Sequence, residues 1–147
     1  MKVRNGFVSN SSSSSFVVIM KNGQDLTYES LISVLDVNKN SPLFTFAKDL
    51  AEWVISNTKK CKIEDIFNDY YGRDAMGLTE DQMIDEILKE FYGDKTEYKN
   101  ILEKIKNGKF CYYEGRASND SGYALEYYLY DNGLNVDTEN IKITCKG

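Results

Sequence analysis

Histidine is absent from the chain. Without an imidazole, Ser-His-Asp and Cys-His catalysis are excluded, as are histidine-ligated metals and histidine proton shuttles. Any enzyme built on this sequence would work with Asp, Glu, Lys, Arg, Tyr or Cys. Cysteine is scarce: Cys61, Cys111 and Cys145 stand far apart, odd in number and without a CxxC pair. That spacing suggests neither a zinc site nor a disulfide framework, and the three are expected as reduced thiols acting as small buried hydrophobes. Long apolar runs are missing too. The longest, Phe16 to Met20, has five residues, against the ~20 that span a bilayer. Lys2 and Arg4 precede apolar residues as in a signal peptide, but a serine block interrupts the roughly 7–15 apolar residues a secretory segment needs. A membrane partner is therefore not expected, and the expected location is the cytoplasm. Positive charge is also in deficit, with 18 Lys and Arg against 23 Asp and Glu, a net charge of −5 and a pI near 4.8. Phosphate binding needs clustered Lys and Arg, so direct nucleic-acid binding is not expected.

What is present suits one folded domain. The 147 residues are 41% hydrophobic, with 11 tyrosines and 7 phenylalanines, enough for a single packed core. The 28% of charged residues is ordinary for a globular chain. The domain is expected over residues 16–147, preceded by a serine-rich arm over 1–15.

Along the chain, Asn5-Gly6 between Val3-Arg4 and Phe7-Val8 reads as a tight hairpin turn. Phe16-Val17-Val18-Ile19-Met20 reads as a buried strand, ended by Asn22-Gly23. A short helix follows through Leu26, Ile32 and Leu35. Ser41-Pro42 reads as an N-cap and first helical residue, and Phe46, Leu50, Trp53 and Val54 form the apolar stripe of a helix running to Asn57. Another short helix spans Lys62 to Tyr71, with Ile63, Ile66, Phe67 and Tyr70 apolar. Thr79 and Gln82 form a capping box for a helix that Gly93 stops, with Met83, Ile84, Ile87, Leu88 and Phe91 as its buried face. A further helix covers Thr96 to Lys106. The remainder reads as strands: Phe110 to Ala117, Tyr123 to Tyr130, and a closing strand carrying Ile141, Ile143 and Cys145. The fold class is therefore α+β. A small antiparallel sheet, made of the N-terminal strand plus a C-terminal three-strand meander, has four to five helices inserted between its parts.

Charge is distributed unevenly. Between Glu64 and Asp94 ten acids face only Arg73 and Lys89. A field of that sign can solvate a helix face or steer a basic partner. Glu80, Asp81, Asp85, Glu86 and Glu90 are its candidate partner-binding residues. Asp81 and Asp85 lie one turn apart, but no EF-hand spacing accompanies them, so no metal and no cofactor is expected. Tyrosines crowd the C-terminal strands, and Tyr112 and Tyr128 join the candidate interface, since tyrosine offers contact area at low entropic cost. A second reading places a nucleotide-like ligand beside Arg116, Glu114 and Tyr128. No catalytic constellation emerges.

The serine run Ser11 to Ser15 is the most distinctive local feature. The string RNGFVSNSSSSSF, Arg4 to Phe16, resembles the opening of assorted small phage and low-GC bacterial proteins. That resemblance covers only this segment and carries no residue roles. It implies a phage or mobile-element accessory protein, of the kind that binds host defence or replication factors, CRISPR effectors included. The leading expectation is a non-enzymatic protein that blocks a basic host protein through an acidic, tyrosine-rich surface. The alternatives are a small enzyme or ligand-binding domain, and a structural or assembly component that uses the N-terminal arm.

Overall fold

The run of β-branched residues at Phe16 to Met20 has no polar positions to offer solvent, so a strand built from it is stable only when covered on both faces and paired on both edges. That is where the computed structural model, which describes residues 13–73, 75–118 and 135–146, places it. Among the described residues, strand β1 (Ser13–Met20) is the centre of a five-stranded antiparallel sheet. Around it come α1 (Tyr28–Leu35), α2 (Phe44–Ser56), β2 (Thr58–Cys61), α3 (Ile63–Tyr71), α4 (Glu80–Lys89), α5 (Lys95–Lys106), β3 (Cys111–Ser118), β4 (Val136–Asp137) and β5 (Ile141–Lys146). The sheet order is β2-β3-β1-β5-β4. Register sets Phe16 opposite Gly115 and Cys145, and Val18 opposite Tyr113 and Ile143.

Alternation along the strands divides the core in two. Phe16, Val18 and Met20 join Tyr113, Ile141 and Ile143 on one face, under Leu31 of α1 and Leu50, Ala51 and Val54 of α2. On the other face Cys61, Phe110 and Tyr112 meet α3, α4 and α5 through Ile63, Phe67, Ile84, Ile87 and Leu102. Each fully buried Val, Leu, Ile or Phe among them contributes about 1.5–3 kcal/mol. Helices thus cover both faces of the sheet, and the α+β class with a small antiparallel sheet is as the sequence led us to expect. The five described helices match the four to five inserted ones.

Local chemistry explains where the details depart from sequence expectation. Three of the serines belong to the sheet: β1 starts at Ser13, and Ser15 lies opposite both Arg116 and Lys146. Helix α2 starts at Phe44, later than Ser41-Pro42 suggested, because Ser41 builds a turn instead. Its hydroxyl accepts from the Leu43 amide at 3.1 Å and its carbonyl from the Phe44 amide at 3.0 Å. Phe46, read as part of the core stripe, is 41% exposed. Strand β2 was not expected; its sequence, Thr-Lys-Lys-Cys, suits a short edge strand with charges to deter further pairing. β1 lies between β3 and β5, so these two strands are not neighbours. The strand expected at Tyr123 to Tyr130 and the hairpin at Asn5-Gly6 lie outside the described residues.

The loop ahead of α1 is tied to the sheet by polar contacts. The Asp25 carboxylate accepts from Lys60 Nζ at 2.8 Å and from the Tyr113 hydroxyl at 3.1 Å, and that hydroxyl accepts from the Leu26 amide at 3.0 Å. No helix among the described residues is long and apolar enough to cross a membrane.

Candidate functional site

Helix α4 exposes acids because of how its amphipathic pattern falls. Met83, Ile84 and Ile87 turn to the core, which leaves Glu80, Asp81 and Asp85 on the solvent side and Glu86 at its edge. The capping box forms as the sequence indicated: the Thr79 hydroxyl accepts from the Gln82 backbone N–H at 3.2 Å, and the Gln82 side-chain Oε1 accepts from the Thr79 backbone N–H at 2.8 Å. Glu80 and Asp81 occupy the first turn, where the helix dipole favours them. Asp81 pairs with Lys106 at 2.7 Å and Glu86 with Lys89 at 3.0 Å. Among the described residues Glu80, Asp85 and Glu90 make no ion pair. Lys106 and Lys89 also feel Glu80 and Asp85, but two lysines face five acids here, and this face keeps a net negative charge.

An aromatic patch adjoins the C-terminal end of that helix. Tyr92 is 99% exposed and Tyr70, from α3, 45%. The Tyr70 hydroxyl reaches the Glu90 carbonyl at 3.5 Å, and the Tyr71 hydroxyl donates to the Glu86 carbonyl. Partial burial, then the charges of Glu90 and Tyr92, hold the Tyr70 hydroxyl above the usual tyrosine range. Beneath, Phe91 and Tyr98 stack at 4.2 Å with 8° between their planes. The Arg73 guanidinium sits 5.4 Å from the ring centres of both Phe67 and Tyr71, so the cluster already holds one cation against its aromatic faces. Periodicity puts Tyr70 with the apolar residues of its helix, and no apolar pattern marks Tyr92. The usable signal was the pairing of Tyr92 with the Glu90 end of an acidic helix.

The tyrosines that the sequence did nominate are placed differently. Tyr112 packs into the second core, where burial drives its hydroxyl far above the usual range, so it is a core residue. Tyr128 lies outside the described residues. Glu114 and Arg116 do share a sheet face, two residues apart on β3, with Lys59 of β2 directly across from Glu114. Glu114 is half-buried there and its carboxyl is pushed up to about 7. Loss of solvent is the largest cause, followed by hydrogen-bonding contact with the Asp69 carboxyl of α3; Lys59 and Arg116 pull the other way. The same burial, with Glu114 adding to it, pushes the neighbouring Cys61 thiol up to about 12. Arg116 is exposed.

A separate shallow cavity of about 170 Å³ lies between α5 and the strands β1, β4 and β5, floored by Ile19, Ile101 and Phe110. Its charges neutralise one another, Lys21 with Asp137 at 2.6 Å and Lys142 with Glu97 at 3.9 Å. Among the described residues no group of three or more cysteines and acids is placed to hold a metal ion. No protein-family model, curated protein or solved structure matches this chain.

Proposed function

We propose that this chain is a non-enzymatic accessory protein of a phage or mobile element that binds and blocks a basic host protein, a defence effector such as a CRISPR nuclease being one such target. The observation that carries the reading is the continuity of two surfaces. The unpaired acids Glu80, Asp85 and Glu90 run into the exposed rings of Tyr70 and Tyr92. Acids steer a cationic partner over distance, and exposed tyrosines supply apolar contact area and cation–π faces once it has arrived. The phage or mobile-element origin rests on the resemblance of the Arg4 to Phe16 segment.

The test is retention of partners from bacterial lysate by the wild type and by an E80K/D85K/E90K variant, at low and high salt. A dominant basic protein should be held by the wild type at low salt and released as salt screens the contact, and the variant should hold none of it. Equal capture by the variant would remove this surface from consideration.

A second reading, a ligand-binding domain for a nucleotide-like molecule, is favoured by one observation: the near-neutral carboxyl of Glu114 beside Arg116. Carboxyls displaced this far recur at functional sites. Titration calorimetry with nucleotides on the wild type and on Arg116→Ala separates the two readings, since the acidic-surface reading requires no heat from either.

A further inference from the structure

Helix α5 carries Glu97, Asn100 and Ile101 along one edge, at positions three and four apart. A row of the sheet faces them. Ile19 of β1 lies directly opposite Lys142 of β5, and Lys142 directly opposite Asp137 of β4. Alternation sends these three side chains to one face of the sheet. Between the row and the helix edge lies the cavity of about 170 Å³, room for roughly five or six water molecules at about 30 Å³ each.

The two charged pairs on its rim are held differently. Lys21 Nζ donates to Asp137 at 2.6 Å and to the Thr138 carbonyl at 2.9 Å, so this pair forms a fixed wall. Lys142 and Glu97 stand 3.9 Å apart, too far for a hydrogen bond. The described residues give the Lys142 ammonium no hydrogen bond in its place, although its side chain is only 30% exposed, and they give the Asn100 side-chain amide none either. The cavity thus joins a gapped ion pair and an unused amide to an apolar floor of Ile19, Ile101 and Phe110.

We propose that this cavity binds a free α-amino acid with an aliphatic side chain, its carboxylate on Lys142 and its ammonium on Glu97. Charge decides the class of ligand. A bare carboxylate on Lys142 would set the Glu97 carboxylate beside a like charge, and a bare amine on Glu97 would do the same to Lys142. A head group bearing both charges on one carbon satisfies each partner and leaves the cavity neutral. The Asn100 amide donates to the second carboxylate oxygen, and the aliphatic side chain covers the floor. The site is separate from the acidic tyrosine surface and from Arg116, and rests on neither reading given above.

Proton–nitrogen NMR titration of the full chain with leucine tests the site. The backbone signals of Ile19, Ile101 and Lys142 and the side-chain amide of Asn100 should shift and saturate together, with a Kd of roughly 1 mM, as expected of so small a ligand in an open site. Glycine, which has the head group without the side chain, should bind about tenfold more weakly or worse. Isocaproate and isoamylamine each keep the side chain and one charge, and each should lose about tenfold or more; so should leucine on Lys142→Gln or Glu97→Gln. Exposed ion pairs contribute little to stability, so both variants should fold. If either does not, the half-ligands on the wild type decide. The proposal is overturned by no saturable shift at about twenty times that concentration, by saturation at residues away from the cavity, or by isocaproate binding as tightly as leucine.

Discussion

The ring of Phe16 occupies the space that a side chain at Gly115 would need. The two residues are direct partners across β1 and β3, and a Cβ on Gly115 would stand 2.4 Å from Cζ of Phe16 and 2.5 Å from the Asn57 carbonyl oxygen. Phe16 is 2% exposed and its ring also packs on Trp53, with centroids 5.6 Å apart. The glycine is what lets α2, β1 and β3 approach one another at this point.

The substitution Gly115→Ala should therefore destabilise the protein by about 1–3 kcal/mol, as overpacking a filled core does. The sign is the informative part. Alanine in a strand interior is ordinarily favoured over glycine, which is entropically costly there. A lower urea midpoint is expected, and an equal or higher midpoint would contradict the close approach.

Asp25 makes stability fall on the acid side. Its carboxyl is held below the ordinary value of 3.8, first by the hydrogen bond from Lys60 and then by that from Tyr113. The stability it contributes is thus present above that value and lost as pH falls through the depressed one. Asp25→Asn should be less stable than the wild type near neutral pH, with the gap closing as pH falls below the ordinary value of 3.8. Thermal melts across that range check this, and a gap that stays constant in acid would place the effect elsewhere.

Cys61 should be inert in the folded protein. With its thiol pushed up to about 12 by burial and by Glu114, only about one molecule in ten thousand carries a thiolate at pH 8. Iodoacetamide labelling followed by peptide mass spectrometry should leave Cys61 unmodified under native conditions and modify it readily in urea. Rapid native labelling would mean that the α3–β2 contact opens freely.

The sequence made the apolar and capping features legible because they act over short distances. Phe16 to Met20 had to be a buried strand, and Thr79 with Gln82 had to open a helix whose acids face outward. β2 was hidden because Lys59 and Lys60 lack any apolar pattern; its strand character comes from pairing with β3. Ser13 to Ser15 were hidden for the same reason, since serine favours neither strand nor helix and β3 and β5 decide the matter. Phe46 and Tyr70 were misplaced by periodicity, which counts a ring as buried without knowing where the neighbouring helix ends. The exposed charges at Glu80 and Asp85 followed from spacing alone. The half-burial of Glu114 on β3 did not, because it depends on the packing of helices against a strand far along the chain, a relation that no local pattern encodes.

The central place of β1 has a consequence for how the molecule is made. Its two hydrogen-bonding neighbours, β3 and β5, both follow all five described helices in the chain. A ribosome adding residues at the usual pace would release Phe16 to Met20 roughly ten seconds before Ile141 to Lys146 emerge. Until β3 emerges, which takes most of that interval, the most apolar of the described strands has both edges open, and the β5 edge stays open to its end. Helices α1 and α2, which cover one face of that strand through Leu31, Leu50 and Val54, emerge soon after it and can shield it during the wait. Chaperone demand during synthesis should therefore depend on how well α1 and α2 close over β1, even in variants whose finished stability is unchanged.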